Sequence, residues 1–406
     1  MRKLTMSVGN PVEGEECFWD RQEDLQLFTE LLDAGAHVHL IAQRRMGKTS
    51  LIREVASLIK DRYVTLSVDL QDDKSPADAV AALSAATRPH LDLWSKVKDS
   101  FGNILSRVKE HVDSMDLSEL TIHLRDGMVG EDWKERGDEL FRSLASVEQG
   151  VVVFLDEVPI LIGRLLRGAT DQITPEGKRS ADLFLSWLRE NSIRHSGRVR
   201  VVVTGSIGLG PIIHRARLSA TLNNFTPFVL KPWDESTAIG CLQALANQQG
   251  VTFTEGACEY MAQRLGCCIP HHVQTYFWLA YVRCRRRGDL TFSAVDAEQV
   301  YQEDMLGVNA HGELLHYEER LFAVLGKRLA TVALAILTEV AQSDGITYEQ
   351  VQSICRTYSF EDCEELPDIL EVLEHDGYLA LGPDKTYRFV SSFLCDWWRK
   401  RFGLLG

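Results

Sequence analysis

"LIAQRRMGKTSLIREV", residues 40–55, decides how the chain folds. An apolar run, a loop holding Gly47-Lys48-Thr49 and a helix-forming stretch follow one another without a gap. A phosphate-binding loop needs backbone N–H groups turned inward, a helix N-terminus behind them, a lysine for the β- and γ-phosphates and a hydroxyl for Mg2+. Lys48 and Thr49 stand where the last two are required, but the full pattern asks for glycine where Ala42 stands. Alanine adds one methyl, tolerable while φ stays negative. The alternative is an ordinary strand–helix turn that happens to contain Gly-Lys-Thr, and the rest of the sequence has to decide.

"VVVFLDE" (151–157) is the strongest further motif. An apolar strand ending in Asp156-Glu157 sets two carboxylates at the C-terminal edge of a parallel sheet, where open α/β folds bind ligands. Asp156 is expected to hold the Mg2+ shell through water, with Thr49 as the other metal-side group. Glu157 is expected to polarise the water that attacks the γ-phosphate. A capped helix start is the other way to read the pair. "VVVTGSIG" (201–208) ends at the same edge; Ser206 either hydrogen-bonds the attacking water or γ-phosphate or caps the next helix.

Five apolar runs read as strands: "HVHLIA" (37–42), "YVTLSVDL" (63–70), residues 151–157, "VRVVVTG" (199–205) and "FTPFVL" (225–230), the last interrupted by Pro227. Continuous Val/Ile/Leu runs separated by helical patterns predict an α/β core with a five-stranded parallel sheet. Residues 74–150 form a helical insertion, with amphipathic helices in "LDLWSKVKDSFGNILSRVKEHV" (91–112) and a strand over "LTIHLRD" (120–126). Beyond residue 231 helices follow over 234–250, 255–266 and 270–288. The last hundred residues read as helices 328–342, 347–357 and 365–376 and a hairpin "YLALGPDKTYRFV" (378–390), the order of a winged helix-turn-helix. The predicted domains are a P-loop core (1–231), a helical lid (232–306) and a winged helix (307–406).

With 44 Lys and Arg against 58 Asp and Glu, the chain carries a net charge of −14, which argues against broad electrostatic binding of nucleic acid. Residues 330–400 hold five basic and thirteen acidic side chains, and "EDCEELPDILEVLEHD" (361–376), the recognition helix of a winged module, holds eight acids and no Lys or Arg. Such a helix would repel DNA phosphates, so a protein partner or the chain's own core is expected. "RCRRRG" (283–288) is the one dense basic cluster: a helix end favoured by the macrodipole, or the place where nucleic acid would bind. The nine cysteines form no CxxC pair and are expected as reduced thiols in the cytoplasm. Cys267–Cys268 reads as two small buried side chains or as a redox pair. No signal peptide and no apolar run of membrane-spanning length are read.

In this order the motifs resemble the archaeal-type ATPases of the STAND branch of AAA+ P-loop ATPases, over nearly the whole chain. "GNPVEGEECFWDRQEDLQLFTELL" (9–32) is similar to that family's opening segment, with Asp20 where glycine is usual and Arg21 kept; the resemblance puts Arg21 on the adenine side. "QRRMGKTSL" (43–51) is similar to its Pro-Arg-Arg-x-Gly-Lys-Thr-Ser-Leu loop, with Gln43 in the proline position. That implies a nucleotide cradle of Gln43, Arg44, Arg45, Met46, Gly47, Lys48, Thr49 and Ser50. Arg44 and Arg45 could brace the loop, pair with acidic neighbours or touch phosphate. Many members lack the first glycine. "LKPWDESTA" (230–238) resembles the join to the lid, and "LGCCIPHHVQ" (265–274) the turn that brings Pro270, with His271 or His272, toward the phosphates; a surface or capping histidine is the alternative. AAA+ members often complete hydrolysis with an arginine from a neighbouring subunit, for which Arg215 and Arg217 in "GPIIHRARLS" (210–219) are placed, surface solvation being the other reading. Trp397 and Trp398 in the aromatic tail are expected to pack a core. The resemblance implies an ATP- and Mg2+-dependent ATPase switch. Its nucleotide state would control self-association or recruitment of a protein effector, in signalling or defence. A DNA-associated loader or a transposition or replication regulator is the alternative, and a nucleotide-locked scaffold a third.

Overall fold

Val151, Val152 and Val153 of one strand and Val199, Val201, Val202 and Val203 of its neighbour are completely buried, as strands covered by helices on both faces must be. The computed structural model describes residues 4, 6, 18–105, 115–168, 170, 172–307, 311–358 and 365–404. They group into two compact units: 23–41 with 55–229, and residues up to 22 with 42–54 and 230 onward.

The first unit is built on α1 (Gln22–Asp33), β1 (His37–Ile41), the end of α2 (Lys48–Ile59) and β2 (Val64–Asp69). The insertion follows as α3 (Pro76–Ala85), α4 (Leu91–Ser100), α5 (Gly102–Leu105), α6 (Leu117–Asp126) and α7 (Asp132–Ala145). Then come β3 (Val151–Asp156), α8 (Val158–Arg167), α9 (Pro175–Arg194), β4 (Val199–Thr204), α10 (Leu209–Arg215) and β5 (Phe225–Val229). The five strands are parallel in the order β2-β3-β4-β1-β5. Pro227 is tolerated because β5 is an edge strand, pairing on one side only, with Pro227 opposite His39.

Residues 120–126 are helix, not strand. Leu120, Ile122 and Leu124 alternate like a strand, but Leu120 and Leu124 also share one helical face and are buried, whereas Ile122 is exposed. Asp116 starts the helix by accepting the Glu119 N–H at 2.8 Å. Within the helical stretch expected over 91–112, residues 106–112 lie outside the described residues. In the insertion, Gly137 lets α7 lie on the Trp187 ring of α9, where a Cβ would come within 2.4 Å.

The second unit holds α11 (Glu235–Gln249), β6 (Thr252–Phe253), α12 (Ala257–Leu265), α13 (Pro270–Arg287), β7 (Thr291–Phe292) and α14 (Ala294–Val300). It continues with α15 (His311–Ser343), β8 (Ile346–Thr347), α16 (Tyr348–Thr357), α17 (Leu366–His375), β9 (Leu379–Leu381), β10 (Thr386–Phe389) and α18 (Ser392–Arg401). The parallel pair β6-β7 and the strand β8, which joins the hairpin as the sheet β8-β10-β9, are too short to show in the sequence pattern.

Leu314–Ser343, two helical segments meeting at a kink, has by length and composition alone the apolarity to cross a membrane, which the apolar runs in the sequence did not suggest. Its backbone leaves helical geometry at Gly326 (φ 75°, ψ 168°), and Ala330, Val332, Ala333, Ile336, Leu337, Val340 and Ala341 are buried in the unit's core. Trp397 and Trp398 are fully buried and pack edge to face, 5.6 Å apart. The seven described cysteines are buried; burial pushes the Cys267 and Cys268 thiols up to about 11, away from redox reactivity. Cys17 and Cys363 lie outside the described residues, as do 9–17 of the opening segment and 361–364 of the acidic helix.

Two buried polar groups give stability tests. His37 accepts the Val201 N–H at Nδ1 (3.1 Å), and desolvation holds its pKa below the ordinary 6.5. Between that lowered value and 6.5 the unfolded chain binds more protons, so stability present above pH 6.5 is lost as the pH falls through the window. Unfolding midpoints measured across it should drop less steeply for His37→Asn than for wild type. In the second unit Arg320 pairs with Asp376 at 3.4 Å with both side chains buried. Asp376→Ala, which removes the buried carboxylate of this pair, should destabilise the unit by about 3 kcal/mol in denaturant unfolding.

Candidate functional site

The first candidate group is the loop that β1 feeds into α2. Ala42 keeps a negative φ; the left-handed backbone falls at Arg45 (φ 67°) and Gly47 (φ 89°). A Cβ at Gly47 would meet nothing within 4 Å, so glycine is required there by the backbone angle rather than by crowding in the protein. Lys48 is buried, and its Nζ donates to the Ala42 carbonyl at 3.2 Å and the Gln43 carbonyl at 3.5 Å. Met46 and Ser50 are buried; Thr49, in the first turn of α2, is half-buried.

The two arginines of the loop differ. Arg45 touches the His271 ring at Nε2, and Thr275 Oγ1 lies 3.4 Å from the same nitrogen. Of the two histidines, then, His271 reaches the loop, one residue after Pro270 opens α13. His272 is buried against Phe393, ring centroids 5.1 Å apart. Arg44 lends its charge to the surroundings of Tyr317 and Tyr378. Arg21 follows Asp20, both in left-handed backbone (φ 81° and 55°). Trp19 beside them donates to the Thr237 carbonyl at 3.2 Å, tying this segment to α11.

A separate group of polar side chains lies on the sheet edge of the other unit. Asp156 ends β3 opposite Asp69, which ends β2; the sequence reading missed Asp69, although each strand closes on an aspartate. Asp156 Oδ1 accepts the Glu157 N–H at 3.0 Å. Glu157 itself takes a left-handed backbone (φ 56°). Its Oε2 accepts two hydrogen bonds from Ser206, the N–H at 2.9 Å and the hydroxyl at 3.0 Å. Ser206 therefore does not cap α10, whose N-cap is Gly208. Gly205 makes the approach possible: a Cβ there would lie 2.4 Å from Pro159 Cδ. Thr204 is buried, with no hydrogen-bond partner for its hydroxyl among the described residues. Beyond β2, burial, with Asp78, Asp69 and Asp72 adding to it, pushes the Asp73 carboxyl up to about 7.

Arg215 is half-buried in the last turn of α10, and Arg217 is exposed just beyond it with φ 57°. In the basic cluster, Arg283 pairs with Glu303 at 2.8 Å and Arg287 with Asp296 at 2.5 Å, while Arg285 and Arg286 are exposed. Chemically, the loop offers a cation and a helix N-terminus suited to phosphate, and the sheet edge offers hard carboxylate oxygens suited to Mg2+.

No protein-family model matches the chain, and no curated protein matches it in sequence. Solved structures do. A Walker-type ATPase of Pyrococcus abyssi is similar at 18% identity, covering 96% of this chain and 99% of that one, with a TM-score of 0.61. Cdc6p of Pyrobaculum aerophilum is similar at 13% identity and TM-score 0.46 over 97% of both chains. The Orc1 protein of Aeropyrum pernix, solved in complex with DNA, is similar at 14% identity and TM-score 0.45, covering 96% of this chain and 95% of that one. The chain shares the fold of that Walker-type ATPase over nearly its whole length, an α/β part with a five-stranded parallel sheet followed by a C-terminal helical region.

Because Gly47 is held at positive φ with open space around it, Gly47→Ala should destabilise by about 1–2 kcal/mol through backbone strain alone. Denaturant midpoints of wild type and variant measure this; an unchanged midpoint would mean the loop relaxes freely.

Proposed function

We propose that the chain binds ATP with Mg2+ and hydrolyses it, and that its nucleotide state switches it between forms that differ in self-association or in recruitment of a protein effector. The observation that carries the reading is the grip of Ser206 on Glu157 at the end of β3. Two donors fix one carboxylate oxygen and leave the other to orient a water, the arrangement of a base positioned by a third group. Lys48 and the N–H groups heading α2 would bind the phosphates. Thr49 and Asp156, a hydroxyl and a carboxylate, are the hard donors that would hold Mg2+, which neutralises charge on the transferred phosphoryl group. In this reading Gln43, Arg44, Arg45, Met46, Gly47 and Ser50 form the rest of the cradle, Arg21 lies on the adenine side, and Pro270 and His271 close on it from the lid. Arg215 or Arg217 would act on the nucleotide of a neighbouring copy. The reading divides the chain into a core (1–231), a lid (232–306) and a winged helix (307–406), working in the cytoplasm.

The acidic C-terminal region supports a protein effector. One feature favours the DNA-associated alternative: Arg285 and Arg286 are exposed at the end of α13. DNA binding with a steep salt dependence, lost in an Arg285→Ala/Arg286→Ala variant, would select that alternative.

Turnover and light scattering with and without ATP–Mg2+ test the proposal. Lys48→Ala should lose nucleotide binding. Glu157→Gln should keep it while its turnover falls by about 10²-fold or more. Ser206→Ala should fall less, about tenfold, as expected for a residue that orients the base rather than replaces it. Wild type and both variants at Lys48 and Glu157 scattering alike in either condition would sink the switch, and equal turnover in Glu157→Gln would sink the assigned base.

A further inference from the structure

Gln43 touches two things at once. Its carbonyl faces Lys48 Nζ at 3.5 Å, inside the loop. Its side-chain amide lies on the backbone of Gly377, at the turn between α17 and β9: a Cβ on Gly377 would stand 1.7 Å from Gln43 Nε2 and 2.1 Å from its Cδ. Loop and turn belong to the same compact unit. Gly377 is thus required twice, for a left-handed φ of 75° that ends α17 and for the room the glutamine occupies.

The turn is firmly built. The Gly377 N–H donates to the Glu374 carbonyl at 3.1 Å and the Tyr378 N–H to the Leu373 carbonyl at 2.9 Å. The Tyr378 hydroxyl donates to the Tyr317 carbonyl of α15 at 2.8 Å, and Asp376 pairs with Arg320 of the same helix. On its other side the loop is held by Arg45 against His271 of α13. Gln43 is the loop residue whose main chain meets the phosphate-binding lysine and whose side chain meets the C-terminal turn.

We infer that Gln43 couples the phosphate loop to the α17–β9 turn, so that nucleotide binding and seating of the turn strengthen one another. This rests on the proposed ATP site. The sign follows from geometry: the contact holds Gln43 while the Arg45–Gly47 backbone and the start of α2 keep the form a phosphate-binding loop requires. An ordered loop binds without first being ordered by its ligand, and coupling between two sites is reciprocal.

The test is a double-mutant cycle read by ATP and ADP affinity of the full chain. Gly377→Ala, which drives a methyl into the glutamine, should weaken binding about tenfold. Gln43→Ala should weaken it slightly, and the double variant Gln43→Ala/Gly377→Ala should recover most of the loss because the methyl now has room. A double variant as weak as Gly377→Ala would trace the loss to strain at positive φ and overturn the inference. Should Gly377→Ala not fold, hydrogen exchange over residues 376–379 decides. ATP–Mg2+ should slow it in wild type and not in Gln43→Ala; equal slowing in both overturns the coupling. A wild type that binds no ATP would sink the proposed function and the coupling together. A wild type that binds ATP alongside an unaffected cycle would sink the coupling alone.

Discussion

A strand buried on both faces has only its ends to give to chemistry, and this constraint organises the molecule. β3 and β4 lie inside the sheet with their valines sealed from water, so polar side chains fit only where the strands stop. Because the strands are parallel, they stop along one edge, and Asp69, Asp156 and Thr204 all end strands there. The chain must also turn sharply at that edge to enter each following helix. Glu157 does so in left-handed backbone immediately after β3, which brings its carboxylate to Ser206 after β4. Gly205 keeps the approach open.

The loop after β1 meets the same demand differently. Gly47 takes the left-handed angle at little cost, but Arg45 takes it with a full side chain, a conformation that persists only when neighbours hold it. His271 is one such neighbour, and Gly377 holds Gln43 two residues earlier. Residues that looked like decoration around Gly-Lys-Thr are the ones that fasten the loop to the helices beyond residue 230. Where these side chains go is something that spacing along a chain does not encode.

The core was highly legible. The central strand β3 stood out as an unbroken apolar run and β4 as one broken only by Arg200, because burial on both faces leaves little room for polar residues, whereas the edge strands β2 and β5 carry polar residues and Pro227. One segment misled: Leu120, Ile122 and Leu124 fit a strand and a helix equally well by spacing, and only packing showed that Leu120 and Leu124 face inward together. The apolar character of α15 was underread for a related reason, since its residues serve an interior and the pattern alone does not say what surrounds them. The short strands β6, β7 and β8 have two residues each and carry no periodicity at all.

By itself the sequence determined the α/β architecture, the position of Gly47-Lys48-Thr49 at the head of a helix and the closing of β3 on Asp156-Glu157. These follow from local chemistry: apolar runs, glycine's backbone freedom and charge at a strand end. Tertiary structure alone decided that Ser206 holds Glu157 rather than capping a helix, that His271 and not His272 reaches the loop, and that Gln43 lies on Gly377. Each joins residues distant in the chain, and their meeting depends on how strands and helices pack rather than on what stands next to them in sequence.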